Sequence, residues 1–311
     1  MEPAKKATWV IPENTYQGLI YTLLPFSKFA IHSFLADLIL KIIGVCHAHN
    51  QKKSFLLLGL NMTFLILSSN KLNAQYSDVL RTGRPGQAIG AFTVGNNILQ
   101  FQQGFDFSSF SNSSYIPFGF TNIHIIRFGI LESVEISTLI DYQYNEKRFE
   151  TETTYQSGIR NLQLGFRFHI NDQKRWMPAT AFQMRLKMPG ISKDYESKYV
   201  APIMIFVANW GLPKKMSVAT NWVLSYSGND AIPTGKYVLH FGFPIYKNLK
   251  GFTENYGQLK ESVFETRFDG GFAYLVNNNV QLDLYGGYGS NNGIQDYFIN
   301  TGISWRINEF R

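Results

Sequence analysis

Residues 161–170 read NLQLGFRFHI, and the alternation inside that decapeptide decides the fold. Leu162, Leu164, Phe166, Phe168 and Ile170 share one face of an extended chain, and Gln163, Gly165, Arg167 and His169 share the other. A period of two belongs to a β-strand, whereas a helix repeats every ~3.6 residues. Working outward, Phe182, Met184, Leu186 and Met188 oppose Gln183, Arg185 and Lys187. Met216, Val218, Thr220, Trp222 and Leu224 oppose Ser217, Ala219, Asn221 and Ser225. Near the end, Val280, Leu282 and Leu284 oppose Gln281, Asp283 and Gly287. The last run sets Tyr297, Ile299, Thr301, Ile303, Trp305 and Ile307 against Asn300, Gly302, Ser304 and Arg306.

The full pattern predicts twelve strands, at 98–109, 119–130, 133–144, 159–170, 178–188, 200–210, 215–226, 236–246, 248–260, 266–276, 279–288 and 296–307. A strand crossing a bilayer needs about 9–11 residues, and single-chain bacterial barrels use an even number of them. The expected fold is therefore all-β, a transmembrane antiparallel up-and-down β-barrel of the outer-membrane type. The second and ninth strands are poorly phased, since Ile123 and Ile125 share a face with Arg127. Connections after even-numbered strands are short: Leu131-Glu132, Asn171–Met177, Gly211–Lys214, Lys247 and Asn277-Asn278. Those after odd-numbered strands are longer and polar, as at 145–158, 189–199 and 227–235. Short turns on one side and longer loops on the other place both barrel termini in the periplasm of a Gram-negative-type bacterium.

Alternation alone does not say which face meets lipid. A soluble barrel or sandwich also alternates, with its apolar face inward. Aromatic residues near the strand ends and a second face rich in Gly, Ser and Asn favour a lipid-facing exterior around a wet lumen. Composition agrees: aromatic residues make up 15% of the chain and charged residues only 16%, below the quarter or so usual for soluble domains.

Residues 52–74 carry a second signal. Lys52 and Lys53 precede an apolar run from Phe55 to Leu67, and Leu72-Asn73-Ala74 closes it with small residues. This is the layout of a secretory signal peptide cleaved after Ala74. The run is short for a spanning helix of about 20 residues. Residues 1–51 read as an over-extended N-terminus or an extra hydrophobic segment, because Leu19 to Val45 is mostly apolar. Residues 75–97 are polar and rich in Gly and Pro, and read as a periplasmic lead-in to a barrel over 98–311.

The net charge is +7, but residues 1–74 hold seven lysines and only three acids, Glu2, Glu13 and Asp37. The remainder has no concentrated basic patch, so a nucleic-acid partner is not expected. The sole cysteine, Cys46, lies upstream of the barrel, which leaves the barrel no disulfide or thiolate metal site.

Several stretches resemble the MetA-like outer-membrane proteins named for the meta-pathway of phenol degradation. They are Arg84-Pro85-Gly86 followed by Phe92-Thr93-Val94, then Leu99-Gln100-Phe101-Gln102, and Arg127-Phe128-Gly129-Ile130 with Val134-Glu135-Ile136. Gly251-Phe252-Thr253-Glu254 and the tail from Val280-Gln281-Leu282-Asp283-Leu284 through Gly302-Ile303-Ser304-Trp305-Arg306 complete the set. The resemblance spans about residues 84–307, with the tail its most specific part. It implies an outer-membrane barrel and passage of small apolar or aromatic molecules.

Eleven charged residues fall on the expected lumen face: Arg127, Glu135, Asp141, Arg167, Arg185, Lys187, Glu254, Arg267, Asp269, Asp283 and Arg306. They are candidates either for a selectivity lining or for pairs that brace the wall, as Arg127 and Glu135 would beside a tight turn. His124, His169 and His240 sit on three different strands and give no convergent metal site. The leading expectation is a channel or transporter for small-molecule solutes, in contact with membrane lipid and inserted by the outer-membrane assembly machinery, without cofactor or covalent chemistry. The alternatives are a structural or surface-interaction barrel with a plugged lumen and, less favoured, a membrane-embedded lipid hydrolase that pairs His124 with Ser137.

Overall fold

The computed structural model describes residues 77–111, 118–148, 152–291 and 294–307; the signal-peptide and N-terminal readings lie outside them. Twelve antiparallel strands form one closed barrel. In chain order they are β1 (Leu99–Ser111), β2 (Phe118–Leu131), β3 (Val134–Arg148), β4 (Thr153–Asn171), β5 (Ala179–Lys187) and β6 (Ala201–Gly211). β7 (Ser217–Ser225), β8 (Thr234–Tyr246), β9 (Leu249–Lys260), β10 (Val263–Asn277), β11 (Val280–Asn291) and β12 (Ile294–Ile307) complete the wall. Each strand pairs with its sequence neighbours, and β1 closes on β12 from Leu99↔Ile307 to Ser111↔Gln295. Closure removes the free edge, which suits a hydrocarbon environment where backbone groups find no water.

The two faces are inverted relative to a soluble barrel. On β12, Ile299 is 61% exposed while its neighbour Asn300 is 1% exposed. Phe206, Trp222, Leu239, Phe268 and Leu284 also stand exposed on the outside, and Gln100, Arg127, Glu135, Gln183 and Ser304 are buried inside. In water, so much exposed apolar area would drive aggregation; against lipid tails it is the stable arrangement. The ambiguous second strand resolves the same way: Ile123 and Ile125 point inward with Arg127, and Ile126 points out.

Two expected boundaries shift. The polar stretch 145–158, read as a loop, is mostly strand: β3 and β4 stay paired out to Arg148↔Thr153. At 15 and 19 residues they outrun the bilayer. Beyond it both faces meet water and polar residues cost nothing. The loop asymmetry holds at 188–200 and 226–233 but not between β9 and β10, joined by Glu261-Ser262 alone. Both residues take positive φ, 48° and 70°, the conformation of a tight hairpin.

The largest departure concerns residues 77–98. They are not a lead-in outside the barrel. They form a strap that runs around the inner wall before entering β1. Its start in the wall is fixed at Gly129 of β2, whose N–H donates to Ile98 O (3.0 Å) and whose carbonyl accepts from Asn97 N (2.9 Å). A Cβ on Gly129 would overlap the Gly95 carbonyl, a backbone atom that cannot swing aside. Alanine in a strand normally gains about 0.5–1 kcal/mol over glycine. Here overpacking costs about 1–3 kcal/mol and wins. Gly129→Ala is expected to lower the thermal transition of the strand circular dichroism signal in detergent micelles. An unchanged or raised transition would show that the strap does not press on β2.

Candidate functional site

The site is the lumen and the strap that crosses it. The strap travels against the strand order, and nearly every wall strand that it passes supplies a side chain. Val94 N donates to Glu135 of β3 (2.9 Å). Arg167 of β4 donates to Gly90 O (3.2 Å) and Phe92 O (3.1 Å), and His169 bonds Ala91 O (2.9 Å). Ala91 N donates to Asn209 of β6 (2.7 Å). Asn221 of β7 accepts from Ile89 N (2.7 Å) and donates to Ile89 O (3.0 Å), so it acts as a strand partner in side-chain form. Glu254 of β9 accepts from Gln87 N (2.6 Å) and Ala88 N (3.1 Å). Arg84 then crosses to β11 and β12, bonding Asp283 at 2.6 Å and 3.2 Å and Asn300 at 2.6 Å. At the far end Arg306 donates to Ser77 O and Asp78 O, both 2.7 Å.

A Gly/Pro-rich segment has few side chains of its own to satisfy its backbone, so buried backbone groups must be met by the wall. Gly86 illustrates the fit. Its φ of +89° favours glycine, and a Cβ there would strike the Glu254 carboxylate. Apolar contacts add a floor: Ala91 packs with Ala179, Ala181, Ile205 and Val207, joined by Ile89, Phe92, Ile203 and Val223. Within the strap the Arg81 guanidinium lies 4.1 Å from the Phe92 ring centre. Burial pulls its pKa below the ordinary arginine value, and the charge of Asp172 opposes that.

The eleven candidate residues separate into groups. Arg127, Glu135 and Arg167 form one knot: Arg127 grips the Glu135 carboxylate at 2.9 Å and 2.7 Å, and Arg167 Nε lies 3.5 Å from it. Glu254 joins His240 (2.7 Å) and faces Asp269 across the β9–β10 register. Asp283 and Arg306 hold the strap. Asp141 pairs with Arg160 (3.3 Å) and accepts from Asn161 (2.8 Å), and Arg267 pairs with Asp296. Lys187 donates only to Ser227 O (3.4 Å), and Arg185 has no hydrogen bond or ion pair among the described residues. Arg84, Arg160, Asn209, Asn221, Lys236 and His240 belong to the site but were not among the candidates. The one sequence cue for Arg84 was its place in the Arg84-Pro85-Gly86 motif.

The His124–Ser137 pair of the hydrolase alternative does not come together. His124 stands exposed on the outer face, whereas Ser137 is the inward register partner of Arg127. A nucleophile and its base must share hydrogen-bond reach. His169 and His240 are inward but both are engaged, with Ala91 and Glu254, and no metal-binding cluster exists among the described residues. A hollow of about 500 Å³ opens beside Gly235, but most of its lining, including Phe206, Trp222, Tyr237 and Phe264, belongs to the outer face, and it meets inward-facing Val223 and Lys236 only at its edge. It is a dent in the lipid-facing layer rather than part of the lumen.

Comparison with solved structures returns outer-membrane barrels. The COG4313 outer membrane channel from Pseudomonas putida F1 is similar at a TM-score of 0.55 and 9% identity, over 72% of this chain and 99% of that one. The NanC porin matches at 0.47 and 10%, over 66% and 100%, and the CymD monoaromatic hydrocarbon channel at 0.42 and 11%, over 73% and 97%. At such identities the likeness is one of fold. No curated protein matches the chain. The family model described as "Putative MetA-pathway of phenol degradation" covers residues 82–307, which takes in the strap from Thr82 and all twelve strands, and the chain belongs to that family.

Proposed function

We propose that this protein is an outer-membrane passage for small molecules, inserted by the outer-membrane assembly machinery with both barrel termini on the periplasmic side. The observation that carries the reading is the state of the lumen wall beyond the strap. Inward-facing Lys236 stays exposed and Lys187 and Arg160 are only half-buried, and none of the three belongs to the apolar cluster around Ala91. A barrel built only as a scaffold would be expected to pack its interior, as small eight-stranded barrels do; twelve strands leave room for a narrow lumen. The family's description ties it to phenol degradation, and the aliphatic patch of Ile203, Ile205 and Val223 on the inner wall suits a solute with an apolar body. The strap favours a second reading, a plugged structural barrel, because it is bonded to most of the strands it passes.

Planar lipid bilayers separate the two. Purified protein is expected to give small discrete current steps, and proteoliposomes to admit phenol-sized solutes faster than protein-free vesicles. Silence in both assays would defeat the passage and leave the structural reading.

A further inference from the structure

Charge is divided around the lumen. Strands β4–β8 carry no Asp or Glu on either face, yet contribute Arg160, Arg167, Arg185, Lys187 and Lys236 to the interior. The inward carboxylates all sit on β1, β3 and β9–β12. Most of that acidic arc is already answered: Asp283 by Arg84, Asp296 by Arg267, Asp141 by Arg160, and Glu254 by His240 and two strap amides. The basic arc is answered only in part, Arg160 by Asp141 and Arg167 by Glu135. Lys187 meets only a backbone carbonyl, and Lys236 has no hydrogen bond or ion pair among the described residues. Lys236 is near enough to feel three cations, Arg160, Lys187 and Arg267, against one carboxylate, Glu265. Like charges held together around accessible space are a site for an anion.

The register adds a second feature. Arg185 pairs with Ile203, Ile205 with Val223, and Val223 with Lys236. An aliphatic patch thus lies between the cations of β5 and that of β8, and it continues onto strap residues Ile89 and Phe92. We propose that this chamber binds a small organic anion with an apolar body, its carboxylate between Lys187 and Lys236 and its body against Ile203 and Val223. The inference rests on the passage reading and names its solute class. A neutral molecule would fill the patch but leave the lysines unanswered. An inorganic anion would do the reverse.

The test is equilibrium binding to the detergent-solubilised full chain by isothermal titration calorimetry, with benzoate as probe, benzyl alcohol as its neutral counterpart and acetate as the anion without a body. Benzoate is expected to bind more tightly than both. The Lys187→Gln/Lys236→Gln double variant is expected to weaken it by at least about tenfold, the worth of a hydrogen bond to a charged group. Lys187→Arg/Lys236→Arg should retain binding, which guards against a merely structural loss. Equal affinity for benzoate and benzyl alcohol, no benzoate binding, or indifference to the Gln pair would overturn the proposal. Because binding is read without transport, benzoate affinity in a protein that passes no current would reject the passage and keep the site. Current without benzoate affinity would do the opposite.

Discussion

Glu135→Ala is expected to destabilise the barrel by about 3–5 kcal/mol, the usual cost of removing one partner of a buried ion pair. Glu135 is fully buried, and its carboxylate is the only acid that Arg127 and Arg167 contact among the described residues. Removal leaves two guanidiniums facing each other in a site that excludes water, and it orphans Val94 N as well. The desolvation cost of those charges stays while its compensation is lost. Glu135→Gln keeps the shape and one acceptor but not the charge, so it should recover only part of the loss. The contrast is Glu146→Ala. Glu146 also pairs with an arginine, but the Arg148 side chain is 68% exposed, and water and salt screen such a pair so that its loss changes stability little. The measurement is the temperature at which the folded band converts to the unfolded one on heated electrophoresis, or the midpoint in urea. A Glu135→Ala barrel as stable as the Glu146→Ala one would show that the knot does not hold the wall.

The knot and the strap differ in how far the sequence discloses them. Arg127 and Glu135 lie eight residues apart across a two-residue turn, so period-two phasing puts them on one face and hairpin pairing brings them together. Strand number follows from the same local rule. The strap follows no such rule. Its polar, Gly/Pro-rich composition is what a linker also has, and its partners are 132 residues away at Asn221, 167 at Glu254 and 199 at Asp283. Only closure of the barrel brings them near. Arg160 escaped for a different reason. A register shift between Asp141 and Tyr142 breaks the strict alternation beside it, so counting by twos does not turn its side chain inward. Lys236 is the first residue of the strand expected at 236–246, where phasing has least to act on.

Arg84→Ala is expected to free the middle of the strap and open the lumen. The Arg84 guanidinium makes two bonds to Asp283 and one to Asn300, and it lies over Gly104 and Gly302, where any Cβ would collide with it. Wall and strap are thus cut to fit this one side chain. Its loss leaves the Asp283 side chain, which is 0% exposed, without its cation. If detaching the strap becomes easier by about 3 kcal/mol, the low end for a broken buried pair, the detached population rises by roughly 100-fold, since each ~1.4 kcal/mol is tenfold. In planar bilayers this should appear as a large increase in the fraction of time spent in the higher-current state. Heat stability should fall less than in Glu135→Ala, because the wall itself keeps all its ladder bonds. Arg84→Lys retains the charge but not the fork that spans Asp283 and Asn300, so it should lie between wild type and Arg84→Ala. Asp283→Asn in the Arg84→Ala background removes the stranded charge and should restore stability without closing the channel, because the tether is still missing. If Arg84→Ala instead leaves the current pattern of the wild type intact, the strap is either permanently seated or irrelevant to passage.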